Sequence, residues 1–143
     1  MKVTPFVGID KLIFGMKKTN VIEIYGLPNR QHTDEDGNLI YIYNNPKFAL
    51  SFYADADFRL GYIVAANSNL VIYEQNVIGK SADLIPTFIP KSNPNDWLLE
   101  AYDTVESHQN MEYWLTIQTE FGEVVKVELG ANISDEDEYD FRF

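Results

Sequence analysis

The chain has 143 residues, a formal net charge of −11 and no cysteine, and 45% of its residues are hydrophobic. That length suits one domain, residues 1–143, with its own core, and the missing cysteines exclude disulfides, thiolate zinc sites and cysteine nucleophiles. The negative charge disfavours nucleic acid and anionic membranes as partners and favours a basic protein. No apolar run is long enough for a signal peptide or a membrane span, so we expect a cytoplasmic protein.

The first predicted element is a loop over residues 8–16, and a helix follows over about Lys17–Tyr25. Apolar residues recur at helical spacing in that segment. Gly26 suits a left-handed helix end, and Pro28 prevents further extension.

Three strands of an antiparallel meander come next, because apolar and other residues alternate with the period of a half-buried strand. They cover Leu39–Tyr43, Phe48–Tyr53 and Leu60–Val64. Before them, Asp34–Asn38 is similar to the start of a calcium loop. Asn45 stands where the twelfth position of such a loop needs a glutamate, so we predict a plain turn.

The pattern recurs about 65 residues later. We predict a short helix from Ser81 to about Phe88, although Pro86 distorts it, and a strand over Trp97–Tyr102 that corresponds to Leu39–Tyr43. A further hairpin corresponds to the first one. The predicted fold is therefore α+β, with two tandem helix-plus-antiparallel-sheet units in one globular domain. The units cover about residues 8–66 and 70–133, and an acidic tail covers residues 134–143.

Sets of residues that carry catalysis are missing from the sequence. The two histidines, His32 and His108, are predicted to stand in polar loops without a second histidine at metal-ligand spacing. No nucleophile elbow, phosphate loop or dinucleotide fingerprint occurs. The carboxylate pairs stand at predicted turn tips, where water keeps them ionised. We therefore predict a protein that is not an enzyme and has no catalytic, cofactor or metal site.

Acidic residues are concentrated in the second half. Residues 1–33 carry five basic and two acidic side chains, whereas residues 97–143 carry twelve acidic and two basic ones. Aromatic residues within an acidic rim are typical of an interface for a basic protein. The predicted partner-binding residues are Glu120, Glu123, Glu128, Asp135, Glu136, Asp137, Glu138, Tyr113 and Trp97.

The first part of the chain resembles a recurring bacterial pattern. Its residues are Ile13-Phe14-Gly15-Met16, Val21 and Tyr25-Gly26-Leu27-Pro28, followed by the strands over residues 39–43 and 48–63. The pattern is similar to the small outer-membrane lipoprotein A scaffold, to beta-lactamase-inhibitor-protein-like domains and to acidic immunity proteins of bacterial toxin systems. Lys17 stands where a threonine or serine usually caps the helix, and the cysteine of a lipoprotein is absent. The resemblance covers residues 8–66 and implies a binding scaffold without assigning binding residues.

Our leading hypothesis is an immunity or inhibitor protein that neutralises a cognate basic toxin, such as a nuclease, through its acidic second half. An envelope assembly module is one alternative, and a small-molecule-binding domain is another. Neither nucleic acid nor a membrane is expected as a partner.

Overall fold

A computed structural model describes residues 1–143 and shows a mostly β protein, with 45% of residues in strands and 14% in helices. The α+β prediction is therefore wrong. The only α-helix is α1 (Lys18–Tyr25), and short 3₁₀ helices cover Ala54–Ala56, Ala82–Thr87 and Pro94–Asp96. The strands are β1 (Lys2–Thr4), β2 (Gly8–Ile9), β3 (Leu12–Ile13), β4 (Arg30–Thr33), β5 (Leu39–Tyr43), β6 (Phe48–Tyr53), β7 (Arg59–Ala65), β8 (Val71–Ile72), β9 (Gln75–Asn76), β10 (Trp97–Tyr102), β11 (Val105–Asn110), β12 (Leu115–Glu120), β13 (Glu123–Gly130), β14 (Asn132–Ile133) and β15 (Tyr139–Asp140).

An eight-stranded antiparallel sheet dominates the fold, in the order β10-β11-β12-β13-β7-β6-β5-β4. The first half of the sheet, β4–β7, and the second half, β10–β13, meet where Ile63 pairs with Leu129 and Ala65 pairs with Val127. Because β7 and β13 are antiparallel, the turns that precede them lie at opposite ends of the sheet. The pairing register separates these turns by about 30 Å at 3.3 Å per residue.

The predicted first helix forms and packs on the first half of the sheet. A backbone bridge joins Lys17 to Arg59. The ring of Tyr25 meets Phe48 edge-on with centroids 5.6 Å apart, and the Tyr43 hydroxyl donates a hydrogen bond to the Gly26 carbonyl at 2.9 Å. Buried aromatic packing therefore ties α1 to the sheet.

The predicted second helix is a 3₁₀ helix instead, which is why the tandem helix-plus-sheet prediction fails. Ser81 caps it, as its hydroxyl accepts a hydrogen bond from the Asp83 amide at 3.3 Å. Pro86 lies inside the segment, and a proline removes an amide donor that an α-helix needs. Ile85 and Phe88 are buried in the same apolar cluster as the sheet residues.

A second, small sheet covers the segment predicted as a loop. It has the order β3-β2-β1-β8-β9. Val3 pairs with Ile9 in antiparallel fashion and with Ile72 in parallel fashion. The loop prediction for residues 8–16 is therefore wrong for β2 and β3, whose buried residues join the core.

The acidic tail forms a two-stranded hairpin, β14-β15, that docks on the first half of the molecule. The ring of Tyr139 lies 5.4 Å from that of Tyr53 and stacks on Phe141 at 5.3 Å. Burial, together with Tyr139 and Asp55, raises the pKa of Tyr53 to about 12. Tyr139 and Phe141 therefore pack against the protein itself, whereas Phe143 is exposed.

Candidate protein-binding site

Two adjacent turns form one end of the second half of the sheet. Phe121 and Gly122 join β12 to β13 with φ values of 51° and 78°, as a two-residue turn between twisted strands requires. The Phe121 amide donates to the Thr104 carbonyl at 2.9 Å, and the Ala82 amide donates to the Gly122 carbonyl at 2.8 Å. Hydrogen bonds to the β10–β11 turn and to the 3₁₀ helix Ala82–Thr87 thus fix the β12–β13 turn.

Phe121 is an unusual residue at that position. Left-handed backbone is costly for a bulky side chain, by about 1–2 kcal/mol, and the Phe121 ring is 77% exposed. Neither local conformation nor core packing accounts for a phenylalanine there. Ten other non-glycine residues also have positive φ, among them Phe58 in the turn that precedes β7, so it is the exposure of Phe121 that distinguishes it.

Exposed aromatic and acidic side chains surround Phe121. Tyr102 is 64% exposed at the end of β10, beside the turn that precedes β11. We call the following six exposed residues the acidic tip: Glu100, Tyr102, Asp103, Glu120, Phe121 and Glu123.

Carboxylates of the acidic tip have no cationic neighbours along the chain. Residues 97–125 contain six acidic side chains and no lysine or arginine. None of the tip carboxylates takes part in an ion pair. Glu100 accepts a hydrogen bond from the Tyr102 hydroxyl at 2.8 Å, and that bond raises the pKa of Tyr102. The tip therefore presents four carboxylates without ion pairs around two aromatic rings, and Lys80 lies on the adjoining segment, where its carbonyl accepts a hydrogen bond from the Val124 amide at 2.9 Å.

The strand β10 continues the apolar surface along the edge of the sheet. Leu98 and Leu99 are 57% and 56% exposed. Leu99 pairs with His108, which pairs with the buried Ile117, so Leu99 shares the core-facing side of the sheet. Leu98 lies on the opposite face with Tyr102, because side chains alternate along a strand.

Beneath this edge, four buried polar atoms lack a hydrogen-bond partner. They are Trp97 Nε1, His108 Nε2, Asn110 Nδ2 and Thr119 Oγ1. All belong to β10–β12, and the first half of the sheet has none. Burial lowers the pKa of His108, against the opposing effect of Glu106, whose carboxylate lies 3.9 Å away. The buried polar groups in the second half of the sheet are thus less completely hydrogen-bonded than those in the first half.

The predicted partner-binding residues do not form one surface. Glu120 and Glu123 pair across the turn in the acidic tip. Trp97 and Tyr113 are half-buried at the opposite end of the second half, where Trp97 pairs with Asn110 and the Tyr113 amide donates to the Asn110 side chain. Trp97 and Tyr113 therefore lie apart from Glu120 and Glu123, at the other end of the same strands.

The tail carboxylates also lie far from the tip. Asp135, Glu136, Asp137 and Glu138 form the exposed turn of the β14-β15 hairpin. The Tyr139 hydroxyl reaches Asp55 at 3.3 Å, which fixes the hairpin beside the turn that precedes β7. That turn and the acidic tip occupy opposite ends of the sheet.

Glu128 occupies the middle of β13 and is half-buried. It accepts hydrogen bonds from the Tyr62 hydroxyl at 2.8 Å and from the Gln118 side chain. Burial first, and then Glu128, raise the pKa of Tyr62. Glu128 therefore belongs to a polar network of the sheet face.

Sequence reasoning missed Phe121, Leu98 and Leu99. The Phe-Gly pair between two alternating segments is a two-residue turn signal, and residues at a turn tip are exposed. The sequence predicts that the strand Trp97–Tyr102 corresponds to Leu39–Tyr43, which is β5 and has a strand on each side. Only the strand order reveals that β10 is an edge.

Other features of the molecule are less suited to binding. The largest cavity, about 550 Å³, is an open cleft between the start of α1 and the β4–β5 turn, lined among others by Lys18, Leu39 and Phe58. Lys17 in that cleft pairs with Asp57 at 3.5 Å. No group of three or more metal-ligating side chains is close enough to hold a metal ion. The helices are too short or too polar to cross a membrane.

No family model and no curated protein sequence match the chain. Among solved structures, it is similar to an extracellular protein containing an SCP domain from Bacillus anthracis, with a TM-score of 0.53 and 12% identity over 82% of this chain and 44% of that one. It is also similar to a cysteine-rich secretory protein from Staphylococcus aureus, with a TM-score of 0.52 and 12% identity over 90% and 48%. At this identity the likeness shows the fold alone, and the chain spans less than half of each neighbour.

Proposed function

We propose that this chain is a non-catalytic immunity or inhibitor protein, which binds a basic partner protein, a cognate toxin, through the acidic tip. The observation that carries the proposal is the pair of exposed rings, Phe121 and Tyr102, among four carboxylates without ion pairs. Aromatic anchors inside a polar rim are typical of binding hot spots.

The charge of the second half supports a basic partner. Carboxylates that lie within a Debye length of each other act together and steer a cationic protein toward the surface. The rings then slow dissociation by leaving water on binding. Two ion pairs between charged side chains, Lys17–Asp57 and Arg142–Asp140, occur in the molecule, so most of its 22 acidic side chains are free to meet cations of a partner.

Co-expression with the product of the neighbouring gene tests the proposal. We expect the chain to restore growth of cells that express this product. Reversing two tip charges, Glu120→Lys and Glu123→Lys, should abolish protection. The control, Glu136→Lys with Asp137→Lys, changes charge equally at the opposite end and should protect. Absence of protection by the wild type would contradict the proposal.

A second candidate is a binding module of an envelope or secreted protein. It is favoured by the two structural neighbours, described as extracellular and secretory, in which a comparable fold makes up less than half of the chain. Fractionation of cells that express the full reading frame separates the two candidates. Recovery outside the cytoplasm supports the envelope module, whereas recovery in the cytoplasm supports the immunity protein.

A further inference from the structure

The two edges of the eight-stranded sheet are built differently. At one edge, β4 has four residues, Arg-Gln-His-Thr, all polar and exposed. At the other, β10 has six residues, Trp-Leu-Leu-Glu-Ala-Tyr, of which all but Trp97 are exposed. Proteins normally protect sheet edges with short strands, prolines, bulges or cationic side chains. The strand β4 is protected in this way because it is short and polar, whereas β10 is longer and largely apolar.

Backbone groups along β10 are available for a further strand. It pairs with β11 alone, over six consecutive residue pairs without a bulge. In an antiparallel ladder, alternate residues direct their N–H and C=O groups to the neighbour, and the others direct them outward. A regular outward row of donors and acceptors therefore extends for roughly 20 Å along this edge.

The acidic surface around β10 indicates which kind of strand would bind there. Within residues 97–125, which contain the edge and the tip, six side chains are acidic and none is lysine or arginine. The strand β10 of a second copy would offer Glu100 no cation, because β10 contains no lysine or arginine, and its parallel pairing would place two glutamates on adjacent strands, which is destabilising. A cationic strand would place its positive side chains beside Glu100, the one charged residue of β10.

We propose that β10 is a docking edge for an extended, cationic segment of a partner protein, which adds to the sheet as a ninth strand. This inference rests on the proposed function, because it states how the basic partner is held. Apolar side chains of the added strand contact Leu99 on the core-facing side of the sheet, and its cations lie on the other face beside Glu100. The acidic tip then contacts cations at one end of the added strand.

The probe for a test is a fluorescent peptide of alternating lysine and valine, as long as β10. Its control has proline in place of the central valine, which removes a backbone donor. Fluorescence anisotropy should show that the proline peptide binds at least about tenfold more weakly. Backbone amide exchange over Trp97–Tyr102 should slow when the lysine–valine peptide binds and stay unchanged with the proline peptide.

Two matched variants test which edge of the sheet, β10 or β4, binds the peptide. Leu99→Lys adds a cation to β10 and should weaken binding at least about tenfold, whereas Gln31→Lys on β4 should change it less than about twofold. Both positions are exposed, and thermal unfolding verifies that both variants fold. Equal effects of the two variants, or a concentration-dependent dimer that protects β10, would overturn the docking edge.

Results for the two peptides separate this inference from the proposed function. If both bind equally and both lose affinity with Glu120→Lys and Glu123→Lys, the acidic tip binds cations and strand addition is wrong. If neither binds, strand addition is also wrong. The growth test involves no peptide, and it judges the immunity role independently in either case.

Discussion

The two halves of the large sheet have the same strand order but differ in how their core-facing side is covered. In the first half, α1 and its aromatic contacts cover the sheet as far as Tyr41 and Tyr43, which are buried. In the second half, the 3₁₀ helix over residues 82–87 is joined to the β12–β13 turn by the hydrogen bond of the Ala82 amide to Gly122 and buries Ile85 in the shared core, and Leu99 on β10 is left exposed. Both halves contribute buried residues to one core, but at its outer edge the second half leaves apolar side chains exposed.

The two halves also differ in how completely their buried polar groups are hydrogen-bonded. The Tyr43 hydroxyl on the covered side of the first half has a partner, whereas four buried polar atoms of the second half have none. Unsatisfied buried groups lower stability. Departures from well-satisfied packing are expected where a protein binds something else.

The largest expected difference between the halves is in stability. Phe52→Ala empties a fully buried site beside Tyr41, whose ring centroid lies 5.1 Å away, and should lower the free energy of unfolding by about 3–5 kcal/mol. Leu99→Ala at the exposed edge should change it by less than about 0.5 kcal/mol. Urea denaturation measures both, and similar losses would contradict the division.

Association with a cationic probe should depend on the tip. Glu120→Lys with Glu123→Lys should slow association of the lysine–valine peptide about tenfold, more than it speeds dissociation, since steering acts on the encounter. Stopped-flow fluorescence measures both rates, and the tail variant Glu136→Lys with Asp137→Lys is the matched control.

For the wild type, affinity for the peptide should fall as the Debye length shortens from about 30 Å at low salt to about 8 Å at physiological salt. Affinity that is independent of salt would refute the electrostatic account.

Thr119→Val should stabilise the protein. The Thr119 hydroxyl is fully buried without a partner, and valine keeps nearly the same shape without a polar atom. We expect a gain of about 1 kcal/mol in the free energy of unfolding. Thr33→Val on the exposed edge β4 is the control and should give no comparable gain. A loss of stability in Thr119→Val would show that the hydroxyl has a partner, such as bound water.

The smallest effect concerns pH. Burial lowers the pKa of His108 below its ordinary value of 6.5, so the folded protein binds this proton less tightly than the unfolded chain does. The resulting stability is complete above pH 6.5 and is lost as pH falls through the folded pKa. Unfolding free energy should therefore decline more steeply below pH 6.5 in the wild type than in His108→Gln. Parallel curves would show that His108 does not contribute.

Much of the strand pattern was predictable from the sequence, because half-buried strands alternate apolar and polar residues. The segments Phe48–Tyr53 and Leu115–Glu120 show this alternation in sequence and in burial. The fold class was not predictable from the sequence, because the weak helical pattern of residues 81–88, which includes Pro86, fits both an α-helix and a 3₁₀ helix.

The site was predictable only in part. Glu120 and Glu123 could be placed together, because a two-residue turn joins them. The separation of the tail from them depends on the pairing of β7 with β13, which has no local signal. The exposure of Leu98 and Leu99 depends likewise on the strand order.

An NMR titration of the labelled protein with the lysine–valine peptide tests the central claim most directly. We expect amide shift changes over Trp97–Asn110 and around Phe121, with little change in β4 or in residues 134–140. Changes concentrated in β4, in the tail hairpin or in the turn that precedes β7 would contradict the assignment of binding to the second half of the sheet.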